Sequence, residues 1–127
     1  MIHRPSKETR VSDCYADIIE AVTLVGRYIQ GMSIEQFMAD TLEANKTRDS
    51  VIKNLIDIGE AANNIMQLDP GVEERDSELW TRLRGAYDMR IKLTHGYRSV
   101  NERIVWNTAV DYLPAFSTLI RAREEGL

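Results

Sequence analysis

A single cysteine, Cys14, is all the chain has, which excludes an internal disulfide and any zinc cluster built on thiolates. Histidine is nearly as scarce: of two, one lies at position 3 and the other is His95. With one interior histidine and no His-Cys or Glu-rich ligand pattern, neither a metal site nor a cofactor is expected. No apolar run approaches the ~20 residues of a membrane span, and the polar opening Met1-Ile2-His3-Arg4-Pro5-Ser6-Lys7 lacks the apolar core of a signal peptide. The expectation is a cytoplasmic protein without membrane contact. Strand-like alternation, internal repeats and low-complexity tracts are absent as well.

What is there is ordinary in amount and uneven in distribution. A chain of 127 residues has room for one core, burying about two-thirds of its unfolded surface, so a single domain over 1–127 is expected. Hydrophobic residues at 43% and charged residues at 28% match a soluble globular protein and exclude disorder. The net charge of −4 argues against gripping nucleic acid over the whole surface. Yet between Arg82 and Arg103 six basic residues (Arg82, Arg84, Arg90, Lys92, Arg98, Arg103) stand against two acidic ones (Asp88, Glu102), a local +4 that leaves −8 for the rest. A basic island of this kind suits local phosphate recognition; it is equally compatible with a solvated helix face.

Helical periodicity accounts for most apolar residues, and the predicted fold class is all-α, an up-and-down helical bundle. Ser12 or Thr9 is placed to cap a first long helix carrying Cys14, Ile18, Val22, Val25 and Ile29, with Gly31 to stop it; Cys14 reads as core. Ser33 with Gln36 makes a capping-box signature for a short helix through Met38 that delivers Phe37 inward. Thr47 or Asp49 precedes a segment in which Val51, Leu55, Ile58, Ala62 and Ile65 form one apolar stripe and Ile52, Ile56, Gly59 and Met66 a second. Two stripes imply contacts on two sides, by the bundle and by a partner. Asp69-Pro70-Gly71 reads as a turn, Glu73-Glu74-Arg75-Asp76 as a solvated loop, and Ser77 as the cap of a helix carrying Leu79, Leu83, Ala86 and Tyr87. A final helix from about Val100 to Arg123 shows a stripe of Trp106, Val110, Leu113 and Ile120, kinked or split at Pro114.

Chemistry concentrates in Arg90-Ile91-Lys92-Leu93-Thr94-His95-Gly96-Tyr97. Arginine offers a permanent charged fork for phosphate oxygens, histidine moves protons near neutral pH, and tyrosine carries a modifiable hydroxyl. In an unbroken helix Arg90 and His95 would point ~140° apart, so a break or tight corner between Arg90 and Leu93 is expected to turn both toward one cleft. Taken alone, the string is also what a helix end recruits for its dipole, with Tyr97 as an amphipathic plug.

The surroundings narrow this. Gly59-Glu60-Ala61, Trp80, Met89-Arg90, Leu93, His95-Gly96-Tyr97, Val105-Trp106 and Leu113-Pro114, followed by Phe116, Leu119 and Ile120, together resemble the HepT-like toxins of the HEPN superfamily over Tyr15 to Ile120. The resemblance implies a small all-helical ribonuclease, the toxin of a type VII toxin–antitoxin pair whose partner is a minimal nucleotidyltransferase antitoxin. It also implies an active site at a homodimer interface, and that Tyr97 is the tyrosine which the antitoxin modifies with AMP to silence the toxin. One position departs from the pattern: the family has a polar residue, most often Asn, after the motif arginine, where this chain has Ile91.

The residues support that chemistry on their own terms. RNA can be cut without metal, because its 2′-hydroxyl attacks the adjacent phosphorus once a base takes the proton and a cation steadies the developing charge. His95 fits the acid-base role and Arg90 the electrostatic one, with RNA as the substrate class and tRNA one candidate within it. Only one interior histidine is offered per chain, and two acid-base groups are favoured, so a symmetric homodimer would supply the second. Lys92 and Arg98 are candidate RNA-binding residues. Asp88 is placed to pair with Arg90 or orient His95, and Glu60 either salt-bridges a neighbouring helix or touches the site. An alternative reading, kept open by Ile91, is a catalytically idle helical dimer that binds a nucleotidyltransferase or a nucleotide.

Overall fold

The computed structural model describes residues 5–96 and 100–125, and these form an all-helical bundle. Helix α1 spans Lys7–Tyr28, α2 Ile34–Phe37, α3 Leu42–Leu68, α4 Val72–Arg75 and α5 Ser77–His95; α6 (Glu102–Asn107), a π-helical turn (Thr108–Tyr112) and α7 (Leu113–Glu125) form one continuous C-terminal run. Helix α3 packs between α1 and α5, and the C-terminal run closes against both.

The caps explain where the helices begin. Ser6, rather than Thr9 or Ser12, starts α1: its hydroxyl accepts the Thr9 N–H at 3.1 Å. The helix stops at Tyr28, and Gly31, at φ 73°, turns the chain where a side chain would be strained. The expected capping box is present at α2, with Gln36 N–H to Ser33 Oγ at 3.2 Å and Ser33 N–H to Gln36 Oε1 at 2.8 Å. Phe37 is fully buried and meets the Trp106 ring at 5.1 Å between centroids.

Helix α3 begins at Leu42 with Thr41 as cap, more than a turn before the expected Thr47 or Asp49. Its first turns carry no apolar stripe, because Ala44 and Arg48 are their only buried residues. Arg48 is unforeseen in this role. Its guanidinium donates to the carbonyls of Phe37 (2.6 Å) and Ala39 (2.9 Å) and to the Asn45 side chain, and lies 3.6 Å from Glu102, tying the α2 end to the start of α6.

Helix α3 is packed on two sides, by α1 and by α5; its first stripe is buried, while in the second Gly59 and Met66 are buried and Ile52 and Ile56 are half-buried. The burial of the first, with Val51, Ile58, Ala62 and Ile65 at 1% exposure or less, anchors a core that includes Ile18, Val25, Leu83, Phe116 and Ile120. Each large aliphatic side chain so buried contributes roughly 1.5–3 kcal/mol before entropy is charged against it. Cys14 packs only partly against this core, and the burial it has raises its thiol pKa.

Two expectations give way in the next segment. Val72, at 2% exposure, draws the acidic stretch into the short helix α4 in place of a solvated loop, and Asp76, not Ser77, caps α5 by accepting the Leu79 N–H at 3.2 Å. At the C-terminal run, Asn101 caps α6. Pro114 neither splits nor stops it. A proline ring crowds the carbonyl four residues back, and the π turn widens the helix just ahead of it, with Leu113 N–H donating to Thr108 O. The wide turn also shifts the inward face, so Val105 and Ala109 are buried where Trp106 and Val110 were expected.

Candidate functional site

Where α3 crosses α5 the two helices are too close for any side chain but hydrogen. A Cβ built on Gly59 would fall 2.4 Å from the Arg90 Cβ and 2.7 Å from the Ala86 carbonyl oxygen. Glycine here is therefore required by Arg90, whose stem lies on the α3 backbone. One residue on, Glu60 meets the arginine head: Nη2 is 2.9 Å from Glu60 Oε2. Arg90 Nε is buried and has no hydrogen-bond partner among the described residues. The remaining Nη1 edge has no ion pair among the described residues.

His95 is the last residue of α5 and is exposed. Its Nδ1 lies 3.2 Å from the Ile91 carbonyl oxygen and 3.0 Å from Thr94 Oγ1, while the Thr94 hydroxyl donates to Arg90 O at 2.9 Å. A carbonyl can only accept, so the neutral tautomer that satisfies this contact carries its proton on Nδ1. Nε2 is then the unprotonated ring nitrogen, with no hydrogen bond among the described residues. The anchor is a main-chain oxygen, so the side chain at position 91, itself 36% exposed, does not supply it.

The expected break between Arg90 and Leu93 does not occur: α5 is helical through His95, and Gly96 N–H closes its last turn onto Lys92 O. Leu93, 3% exposed, packs inward and gives the helix reason to continue. Arg90 and His95 therefore project ~140° apart, the first toward α3 and the second toward solvent. A single chain does not bring them into one cleft.

Of the other expected residues, Lys92 is exposed beside His95. Tyr97 and Arg98 lie outside the described residues. Asp88 neither pairs with Arg90 nor orients His95; it faces Arg84 one turn back, 3.5 Å away, because an i,i+4 neighbour is nearer than either. Glu60 takes the interhelical ion pair with Arg90 that was one of its two expected roles. Among the described residues no three His, Cys, Asp or Glu side chains gather in a metal-binding arrangement. No described helix is long and apolar enough to cross a membrane.

The largest titration shift, that of Tyr15, lies at the opposite end of α5, where Asp76 is shifted as well. The Arg123 hydrogen bond, with Nε 2.5 Å from Asp76 Oδ2, holds the Asp76 carboxyl below its ordinary value, and burial pushes Tyr15 up to about 12. Nearby, Arg75 reaches Asp69 at 2.7 Å.

Fold and site together define, in class, an all-helical bundle with an arginine and a histidine five residues apart on one helix and an exposed lysine between them. The comparisons carry this to a family. A family model described as "HepT-like: Ribonuclease HepT-like" matches residues 18–123, and the chain belongs to that family. It is 32% identical over 107 residues to a protein of Thermococcus cleftensis named "Probable ribonuclease HepT", with 81% of this chain and 86% of that one covered. It is also similar to two proteins named provisionally as RNases. One, from Methanocaldococcus jannaschii, is 27% identical over 110 residues, with 87% of this chain and 82% of the relative covered. The other, from Caldanaerobacter subterraneus, is 33% identical over 94 residues, with 73% and 75% covered. No solved structure matches the chain significantly.

Proposed function

We propose that the protein is a metal-independent endoribonuclease, the toxin of a type VII pair, acting as a cytoplasmic homodimer on RNA such as tRNA. The observation that carries the reading is the state of His95: exposed at the end of α5, its Nδ1 side occupied by a main-chain carbonyl and its Nε2 left for proton transfer. In this mechanism His95 takes the proton of the 2′-hydroxyl or returns one to the departing 5′-oxygen. Arg90 stabilises the charge on the pentacoordinate phosphorus. The phosphorus gains the 2′-oxygen and loses the 5′-oxygen, leaving a 2′,3′-cyclic phosphate.

The intact α5 supports the dimer. With Arg90 and His95 turned apart and one such histidine per chain, one protomer lacks the second acid-base group, and a two-fold partner brings it. Lys92 and Arg98 add phosphate contacts. Tyr97, two residues past His95, is the acceptor of AMP from a minimal nucleotidyltransferase antitoxin; each AMP places about one negative charge among Arg90, Lys92 and Arg98 and repels RNA. Because His95 is anchored through a main-chain oxygen, Ile91 is compatible with an active site, which favours the enzyme over an idle binding dimer.

The test is cleavage of tRNA by the purified protein in excess chelator, before and after treatment with the cognate antitoxin and ATP. The expected result is a 2′,3′-cyclic phosphate product that the treatment abolishes in wild type and not in Tyr97→Phe. Activity that vanishes with chelator rejects the mechanism, and equal AMP mass gain on both proteins rejects Tyr97 as the acceptor.

A further inference from the structure

We infer that Glu60 is a positioning residue for Arg90, deciding which edge of the guanidinium is presented to phosphate; the inference rests on the ribonuclease reading above. Arginine carries five N–H donors in a rigid planar fork, so what occupies one edge determines what the others can reach. Here the Glu60 carboxylate holds Nη2 at 2.9 Å, Nε is buried without a partner, and the stem is pressed onto the α3 backbone at Gly59. Among the described residues, the Nη1 edge has no ion pair and is the one open to an anion. Among the described residues Nε has no hydrogen bond to fix the plane of the head, so that task falls to Glu60.

Two features separate this role from ordinary fold maintenance. The Glu60 side chain is 56% exposed against 28% for Arg90, and an ion pair so open to solvent contributes little to stability. A carboxylate beside an anion-binding cation also weakens the attraction for RNA. Removing Glu60 therefore moves two kinetic constants in directions that a structural defect would not. Turnover falls, because Arg90 loses its orientation at the phosphorus. KM falls as well, because a negative charge has left the site.

The experiment measures kcat and KM on a labelled RNA for Glu60→Gln and Glu60→Ala, each alone and combined with Arg90→Lys, whose ammonium has no edge to orient. Glu60→Ala is expected to lower kcat about tenfold, within the range that misplacement of a reacting group costs, and to lower KM about twofold. Glu60→Gln, which keeps the shape and an acceptor oxygen but not the charge of the ion pair, falls between. In the Arg90→Lys background the kcat loss should shrink to about twofold or less, and melting temperatures should stay within about 2 °C of the parent. An unchanged kcat in Glu60→Ala, or a loss equally large beside Arg90→Lys, overturns the inference. A wild type that cuts RNA while its Glu60 variants behave normally overturns this inference alone; a wild type that cuts no RNA overturns the ribonuclease reading and this inference with it.

Discussion

Helix α5 meets opposite electrostatic conditions at its two ends. At the first turn every charge is answered: Asp76 caps the helix and pairs with Arg123, Arg123 reaches Glu78 at 3.6 Å, and Arg75 holds Asp69. At the last turn Lys92 and His95 stand exposed with no ion pair among the described residues, and one carboxylate, Glu60, meets one edge of Arg90. The first end also carries a groove of about 650 Å³ floored by Tyr15, Val72, Leu79 and Ile120, together with the shifted titrations of Asp76 and Tyr15. By those marks alone the first end would be taken for the active one. The contrast shows that a shifted pKa reports a satisfied network as readily as a working site.

The difference can be attacked from either side. The largest effect belongs to His95→Ala, expected to lower RNA cleavage by a factor of ~10² to 10⁴ with an unchanged fold, since the side chain is exposed. Initial rates on tRNA measure it, and undiminished cleavage would move the chemistry elsewhere. Next comes Gly59→Ala, which pushes a methyl into Arg90 and the Ala86 carbonyl. Overpacking of this kind costs about 1–3 kcal/mol and displaces Arg90, so both the melting point and the cleavage rate should drop. A variant that melts like wild type would mean the helices separate freely at that crossing.

The smallest effect is at the closed end. Asp76→Asn keeps a capping oxygen and removes the charge that Arg123 answers. Because the folded carboxyl titrates below its ordinary 3.8, the stability it confers is present above that value and disappears as pH falls through the lower folded value. Wild type should thus melt roughly 1–3 °C above Asp76→Asn near neutrality, the gap closing below about pH 4, with cleavage equal in both. Calorimetry over that range checks it, and a cleavage defect in Asp76→Asn would erase the contrast between the ends.

Much of the bundle was legible because helical periodicity and caps are local. Ser33 and Gln36 lie three residues apart and formed the expected box; Val51 to Ile65 formed the expected stripe. What was illegible depends on contacts distant in sequence. Thr41 starts α3 well ahead of its apolar stripe, held in part by Arg48 reaching back to Phe37 and across to Glu102. Val72 makes a helix of an acidic stretch because a core is waiting for it. At the candidate site, residue types were readable and orientation was not. Nothing between Arg90 and His95 signals a break or its absence until Leu93 is seen to be buried, and the partnership of Glu60 with Arg90 exists only once Gly59 lets α3 and α5 touch.

The π turn ahead of Pro114 makes chain length itself a specification. Its extra residue acts like one tooth added to a gear: everything downstream is indexed from it. With that residue removed between Thr108 and Tyr112, the wide turn would close to an ordinary one and α7 would rotate by about 100°. Phe116 and Ile120, now at 0% and 1% exposure, would swing off the core, while Tyr112 would lose its donation to Arg82 O across the helix pair. Substitutions in that turn are read residue by residue, whereas a deletion is read by every side chain that follows.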